Sequence, residues 1–266
     1  MFLRRAVIAA GGSAVALFAA VSVGRSEDDS DPLSAGWDSN WDSRASLAKQ
    51  PGVLRYTEDK YEYHRKEDYK NKSNRHIFLI QHANYKTYTS SDKLTAEGYE
   101  QADLTGKRLA TLAKGPGMAE KRQAIQFKHI IYSPQTTTKE TAERISRHLP
   151  GVTMFSSDSL NEGPPIQTSQ DPDWKPDLNH LETPFRKYIY RPDPEQSEDT
   201  YEIMVCHADL IRYIVCKSLQ LPLKAWSRMS LYHGSVTKLV VQQDGNVRLK
   251  TLGDAGFMPH NLLTKP

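Results

Sequence analysis

From residue 74 onward, apolar residues come in short blocks set in polar sequence, and the blocks alternate between two periods. HIFLI, residues 76–80, is an unbroken apolar run too short for a helix, as in a strand buried on both faces. LTAEGYEQADLTGKRLATLA, residues 94–113, spaces Leu104, Leu109 and Leu112 as a helix does, with Thr95 placed to cap it. FKHIIYS (127–133) predicts a second strand and TTTKETAERISRHL (136–149) a second helix. YEIMVCHA (201–208) predicts a third strand, and DLIRYIVCKSL follows as a helix. SVTKLVVQQDGNVRLKTLG, residues 235–253, predicts two antiparallel strands joined at Asp244-Gly245. The alternation predicts one α/β domain over residues 74–266, a mostly parallel sheet with helices on both faces. Residues 156–200 interrupt the rhythm with a polar excursion holding Pro164, Pro165, Pro172 and Pro176. Insertions of that kind often lie over an active site.

The amino-terminal pattern is different. Residues 6–24 (AVIAAGGSAVALFAAVSVG) carry no charge, follow Arg4 and Arg5, and end at Arg25. At about 1.5 Å per residue the run approaches the ~30 Å of hydrocarbon in a bilayer. The apolar core of a cleaved secretory signal is usually shorter, so a retained transmembrane helix is expected. Gly12, Ala16 and Ala20 share one face of it, where small residues let helices approach closely in lipid. Residues 25–73 read as a polar linker. Within it, GWDSNWDSR (36–44) carries Trp37 and Trp41. Two such rings are rarely left in water. They dock on the chain's own domain or on another subunit, and the pattern alone does not choose.

Composition removes several function classes. A net charge of +3 over 266 residues, with no dense basic stripe, gives no support for nucleic-acid binding. The two cysteines, Cys206 and Cys216, fall about 15 Å apart if a helix separates them, too far for a disulfide. Free thiols are expected. No CxxC or HExxH spacing occurs, so neither a dedicated metal site nor a cofactor is expected.

Candidate chemistry gathers at the strand ends, where open parallel sheets bind ligands. His82 follows the first strand and His207 the third, each with a small neighbour, Ala83 or Ala208. The helix after His207 turns its positive end to the same rim. Glu162 lies in the excursion between them. Imidazole can attack phosphorus, and a carboxyl group can protonate a departing alkoxide.

On these residues, together with WDSNWD, RHIFLI, ISRHLPGV, LNEGPPI, YEIMVCHADLIRYIVC and LKTLGDAGFMP, the chain resembles the histidine phosphatase superfamily, with its phosphoglycerate mutase-like fold. Most narrowly it resembles the branch of mitochondrial Ser/Thr protein phosphatases. The resemblance implies a membrane-anchored mitochondrial phosphatase acting on phosphoproteins. His82 would be the nucleophile that becomes phosphohistidine, His207 the second pocket histidine, and Glu162 the general acid. It also implies that the segment of Trp37, Asp38, Asn40, Trp41 and Asp42 mediates self-association, which favours contact between subunits.

Three departures from the family pattern concern the phosphate cradle. Gln81 stands where the family has arginine before the first histidine, Thr137 where it has a second arginine, and Asp209 where relatives often carry asparagine. Ala208 completes the degenerate cradle. Each lost charged donor costs about 3–4 kcal/mol of transition-state stabilisation. If additive, the two losses slow catalysis by about four to six orders of magnitude. Lys139 lies two residues past Thr137 and faces roughly 200° away on the helix, so it is a poor substitute. A weakened phosphatase is expected; the alternative is a catalytically dead pseudophosphatase serving as scaffold or adaptor. A mutase acting on small phosphorylated acids would need more positive charge than this pocket keeps.

Overall fold

The computed structural model describes residues 37–44, 56–57, 60–61, 73–88, 91–115, 124–162 and 178–266. The apolar run at 6–24 lies outside them. Among the described residues, no helix is long and apolar enough to cross a membrane.

Among the described residues, the main elements of the domain are β1 (Asn74–Gln81), β2 (Tyr85–Tyr88), β3 (Ser91–Leu94), α1 (Ala96–Lys114), β4 (Phe127–Tyr132), α2 (Thr136–Ser146), β5 (Thr153–Ser156), α3 (Asn179–Tyr188), β6 (Thr200–Cys206), α4 (Ala208–Ser218), β7 (Val236–Gln242) and β8 (Val247–Asp254). The main sheet runs β8-β7-β1-β6-β4-β5. β1, β6, β4 and β5 are mutually parallel. β7 runs antiparallel to β1, and β8 antiparallel to β7. The mixed α/β, mostly parallel architecture is therefore the expected one. β2 and β3 pair as a separate hairpin.

Period-two alternation in the central strands feeds two cores. Ile77 and Leu79 of β1, with Met204 and Cys206 of β6, face Phe185, Tyr213 and Ile214 on α3 and α4. Phe78 and Ile80, with Ile203 and Val205, face Leu109 of α1 and Ile145 of α2. Both sheet faces are covered, which is why β1 and β6 read as unbroken apolar runs. Thr95 caps α1 by accepting from the Gly98 amide. Cys206 and Cys216 are free and buried.

Four elements escaped the sequence reading. β5 is a four-residue edge strand with no fully buried position. The β2–β3 hairpin follows His82 in polar sequence. α3 lies inside the excursion and buries Leu181, Pro184, Phe185 and Tyr188. Those positions carry helical spacing, but Pro184 and the polar residues around them disguised it.

Residues 37–44 correct one expectation: Trp41 does not need another subunit to cover its ring. Trp41 is 9% exposed, packs 5.8 Å from the Phe185 ring, and donates from Nε1 to the Gly245 carbonyl at 2.7 Å. Asp42 grips the Arg191 guanidinium, with Oδ1 to Nη2 at 2.6 Å. Burial alone would raise the Asp42 pKa, but hydrogen bonds and charge from Arg191 hold it below the usual carboxylate range. Asp38 trades backbone hydrogen bonds with the Gln220 side chain. Gly245 has φ +86, and a Cβ there would meet Arg191 Nη2 and Ser39 O at 2.9 Å. The turn that ends β7 is thus shaped to receive the segment. Trp37 behaves differently and stays 40% exposed.

Candidate active site

The register of β1 and β6 builds the site. Gln81 pairs with Cys206 as the last residue of each strand, so the next residues, His82 and His207, emerge side by side. The His82 amide donates to the Cys206 carbonyl at 3.0 Å. The two rings lie 5.2 Å apart between centroids. The loop after His82 is fixed from two helices. The Ala83 amide donates to Thr141 Oγ1 at 3.0 Å, and the Asn84 amide to Gln101 Oε1 at 2.8 Å. A Cβ on Gly98 would sit 2.0 Å from Asn84 O, so only glycine lets α1 approach this loop.

Burial leaves the histidines neutral. The pKa of His82 is lowered by burial, against a rise from the Ala83 carbonyl and the Asp92 charge. That of His207 is pushed down to about 3 by burial and then by His82. His82 Nδ1 lies 3.0 Å from the Ala83 carbonyl. A carbonyl can only accept, so Nδ1 carries the proton and Nε2 keeps its lone pair. Glu162 Oε2 is 3.6 Å from His207 Nδ1. That is too long for a hydrogen bond, and with a neutral imidazole it is a contact rather than an ion pair. The Glu162 pKa is raised by burial, then by the charges of Asp209 and Asp92.

The cleft has a volume of about 350 Å³, and Gln81, His82, Ala208 and Glu162 all line it. Gln81 is fully buried, yet neither its amide nitrogen nor its oxygen has a hydrogen-bond partner. Thr137 is brought to the same end of the sheet but is not among the described residues that line the cleft. It is buried in the first turn of α2, where its carbonyl accepts from Thr141. Asp209 is partly neutralised by Arg212 at 3.1 Å. Lys139 is turned out to solvent beside Glu143, at 4.0 Å. Among the described residues, no group of histidines, cysteines and carboxylates is arranged to hold a metal ion.

Sequence reading missed His233, Tyr85 and Lys265, which also line the cleft. The His233 ring is 5.6 Å from that of His82, and burial and then His82 push its pKa down to about 4. A signal existed. β7 runs antiparallel to β1, with Val236 opposite Ile80, so the residues just before β7 must fall beside the end of β1. That strand was recognised without its place in the sheet. Chemically, the arrangement offers an imidazole with a free lone pair, a carboxyl group kept protonated to higher pH than usual, and neutral polar groups awaiting a ligand.

The family model of the histidine phosphatase superfamily (branch 1) matches residues 185–255, a stretch that includes His207 and His233. The fold compares with the crystal structure of phosphoglycerate mutase from Plasmodium falciparum, at a TM-score of 0.52 and 29% identity, covering 71% of this chain and 96% of that one. Two curated relatives extend the likeness along the chain. Serine/threonine-protein phosphatase PGAM5, mitochondrial, from Xenopus laevis is 43% identical with all of both chains covered. The Homo sapiens protein of that name is 43% identical over 96% of this chain and 95% of its own. The chain belongs to the PGAM5 family within the histidine phosphatase superfamily.

Proposed function

We propose that this is a mitochondrial Ser/Thr phosphoprotein phosphatase that works through phosphohistidine and turns over slowly. The observation that carries the reading is the state of His82: its Nδ1 proton is held by the Ala83 carbonyl, which leaves Nε2 as a nucleophile in a cleft shared with Glu162. Nε2 attacks phosphorus and the bond to the serine or threonine oxygen breaks. Glu162 gives that oxygen its proton. Water, deprotonated by the Glu162 carboxylate, then cleaves the P–N bond and releases phosphate. His207 lies close enough to steady the moving phosphoryl group. Gln81 and Ala208 line the weakened cradle, where charge would speed transfer, and Thr137, the third cradle position, is not among the lining residues. No cofactor is assigned.

The organisation we propose is an anchor at residues 6–24, a connecting stretch at 25–73, and a catalytic domain at 74–266. The relatives' names support a mitochondrial location. Exposed Trp37 supports self-association through the 36–42 segment, whose Asp38, Asn40 and Asp42 turn the chain around the docked Trp41. Trapping tests the activity: incubation with phosphoserine and phosphothreonine peptides labels His82, and His82→Ala abolishes both label and turnover. The second reading, a scaffold without turnover, is favoured by the fully buried, uncharged Gln81. It prevails if phosphopeptides bind but no phosphohistidine forms.

A further inference from the structure

The cleft is poorly disposed toward an anion. The two imidazoles that line it, His82 and His233, are neutral, and the charges of Asp92 and Asp209 both act on Glu162. Among the described residues that line the cleft, Lys265 is the one lysine or arginine. We propose that Lys265 is a phosphate-binding residue, and that its ammonium supplies the positive charge missing at positions 81 and 137. This rests on the proposed phosphatase reading and names the group that makes it workable.

Two observations carry the assignment. The first is how the chain before Lys265 is held. The His233 amide donates to the Thr264 carbonyl at 2.9 Å, and His233 Nδ1 lies 2.9 Å from Thr264 Oγ1. Gln101 Nε2 donates to the Leu262 carbonyl at 2.7 Å and to Thr264 Oγ1 at 2.8 Å. Gln101 and His233 are both buried, and Gln101 also holds the loop after His82. Gln101 therefore ties the nucleophile's loop to the backbone that presents Lys265. The second observation is the set of buried groups left waiting. Gln81 Nε2 and Oε1 and His233 Nε2 have no partner, and both residues line the cleft. Buried polar atoms are normally satisfied, so a polar ligand belongs here. Lys265 Nζ lies 5.4 Å from the Tyr232 ring centroid, an exposed contact that a four-carbon stem can leave for a better partner.

Calorimetric titration of the full-length protein in detergent with inorganic phosphate tests this. Lys265→Met should weaken phosphate binding about tenfold, the scale of one hydrogen bond to a charged group. Lys265→Arg should stay within about twofold of the parent, and so should Lys139→Met, a lysine outside the cleft. Raising salt from about 0.05 to 0.5 M should narrow the gap between parent and Lys265→Met. Lys265→Met binding phosphate like the parent overturns the proposal, as does a parent that binds none. Trapping separates this from the phosphatase reading. Phosphohistidine at an undiminished rate in Lys265→Met sinks the role of Lys265 alone, whereas no phosphohistidine in any protein sinks the phosphatase reading.

Discussion

The two histidine positions and the two cradle positions lie at one end of one sheet, yet they have fared differently. His82 and His207 sit side by side because the β1–β6 register puts them there; backbone pairing sets that geometry. The cradle depends on which side chain occupies positions 81 and 137, and there Gln81 lies buried without hydrogen-bond partners while Thr137 is not among the residues that line the cleft. On the proposed reading, the groups that transfer the phosphoryl and the groups that bind the anion are separable: the fold keeps the first and substitution alters the second.

The sharpest way to strain that separation is to remove the acid and leave the nucleophile. Glu162→Gln should lower turnover by two to four orders of magnitude, the usual worth of a general acid. The pH profile should change with it. Activity needs neutral His82, present above a pKa lowered from 6.5, and protonated Glu162, present below a pKa raised from 4.5. The parent should therefore lose activity as pH rises through the Glu162 pKa, and Glu162→Gln should lack that limb. An alkaline limb unchanged in the variant would assign the acid elsewhere.

A smaller effect concerns the amino-terminal segment, where a second pair of positions parts company. Asp42→Ala leaves Arg191 buried without its partner and should cost about 3–5 kcal/mol by denaturant titration. Trp37→Ala should stay within about 0.5 kcal/mol but lower the oligomeric mass by light scattering. A Trp37 variant of unchanged mass would remove this segment from assembly.

Smaller still is a pH effect on stability. His207 and His233 have folded-state values of about 3 and about 4, below the unfolded 6.5. Between those limits the unfolded chain binds more protons, so stability falls as pH drops below 6.5. A loss on the order of 2 kcal/mol for each imidazole between pH 7 and pH 5 is expected in denaturant melts. Flat stability across that range would mean that the imidazoles are not buried neutral.

Much of this was legible in the sequence. The apolar runs of β1 and β6, the Thr95 cap and the Asp244-Gly245 turn are local signals, and each is where its pattern placed it. His82, His207 and Glu162 could be picked out because two follow recognisable strands and the third lies in the excursion between them. What was not legible depends on long-range pairing. His233 and Lys265 reach the cleft only through the antiparallel return of β7 and the hydrogen bonds of Thr264. The direction in which Trp41 docks depends on a contact with Gly245, 204 residues away.

The central claim is that transfer geometry is intact while fixed charge at the cradle is missing. Turnover of phosphoserine and phosphothreonine peptides by the double variant Gln81→Arg with Thr137→Arg, set beside the parent, tests it most directly. The account predicts a rise of at least about two decades, a smaller rise for either change alone, and loss of the gain when His82→Ala is added. A double variant no faster than the parent would contradict it.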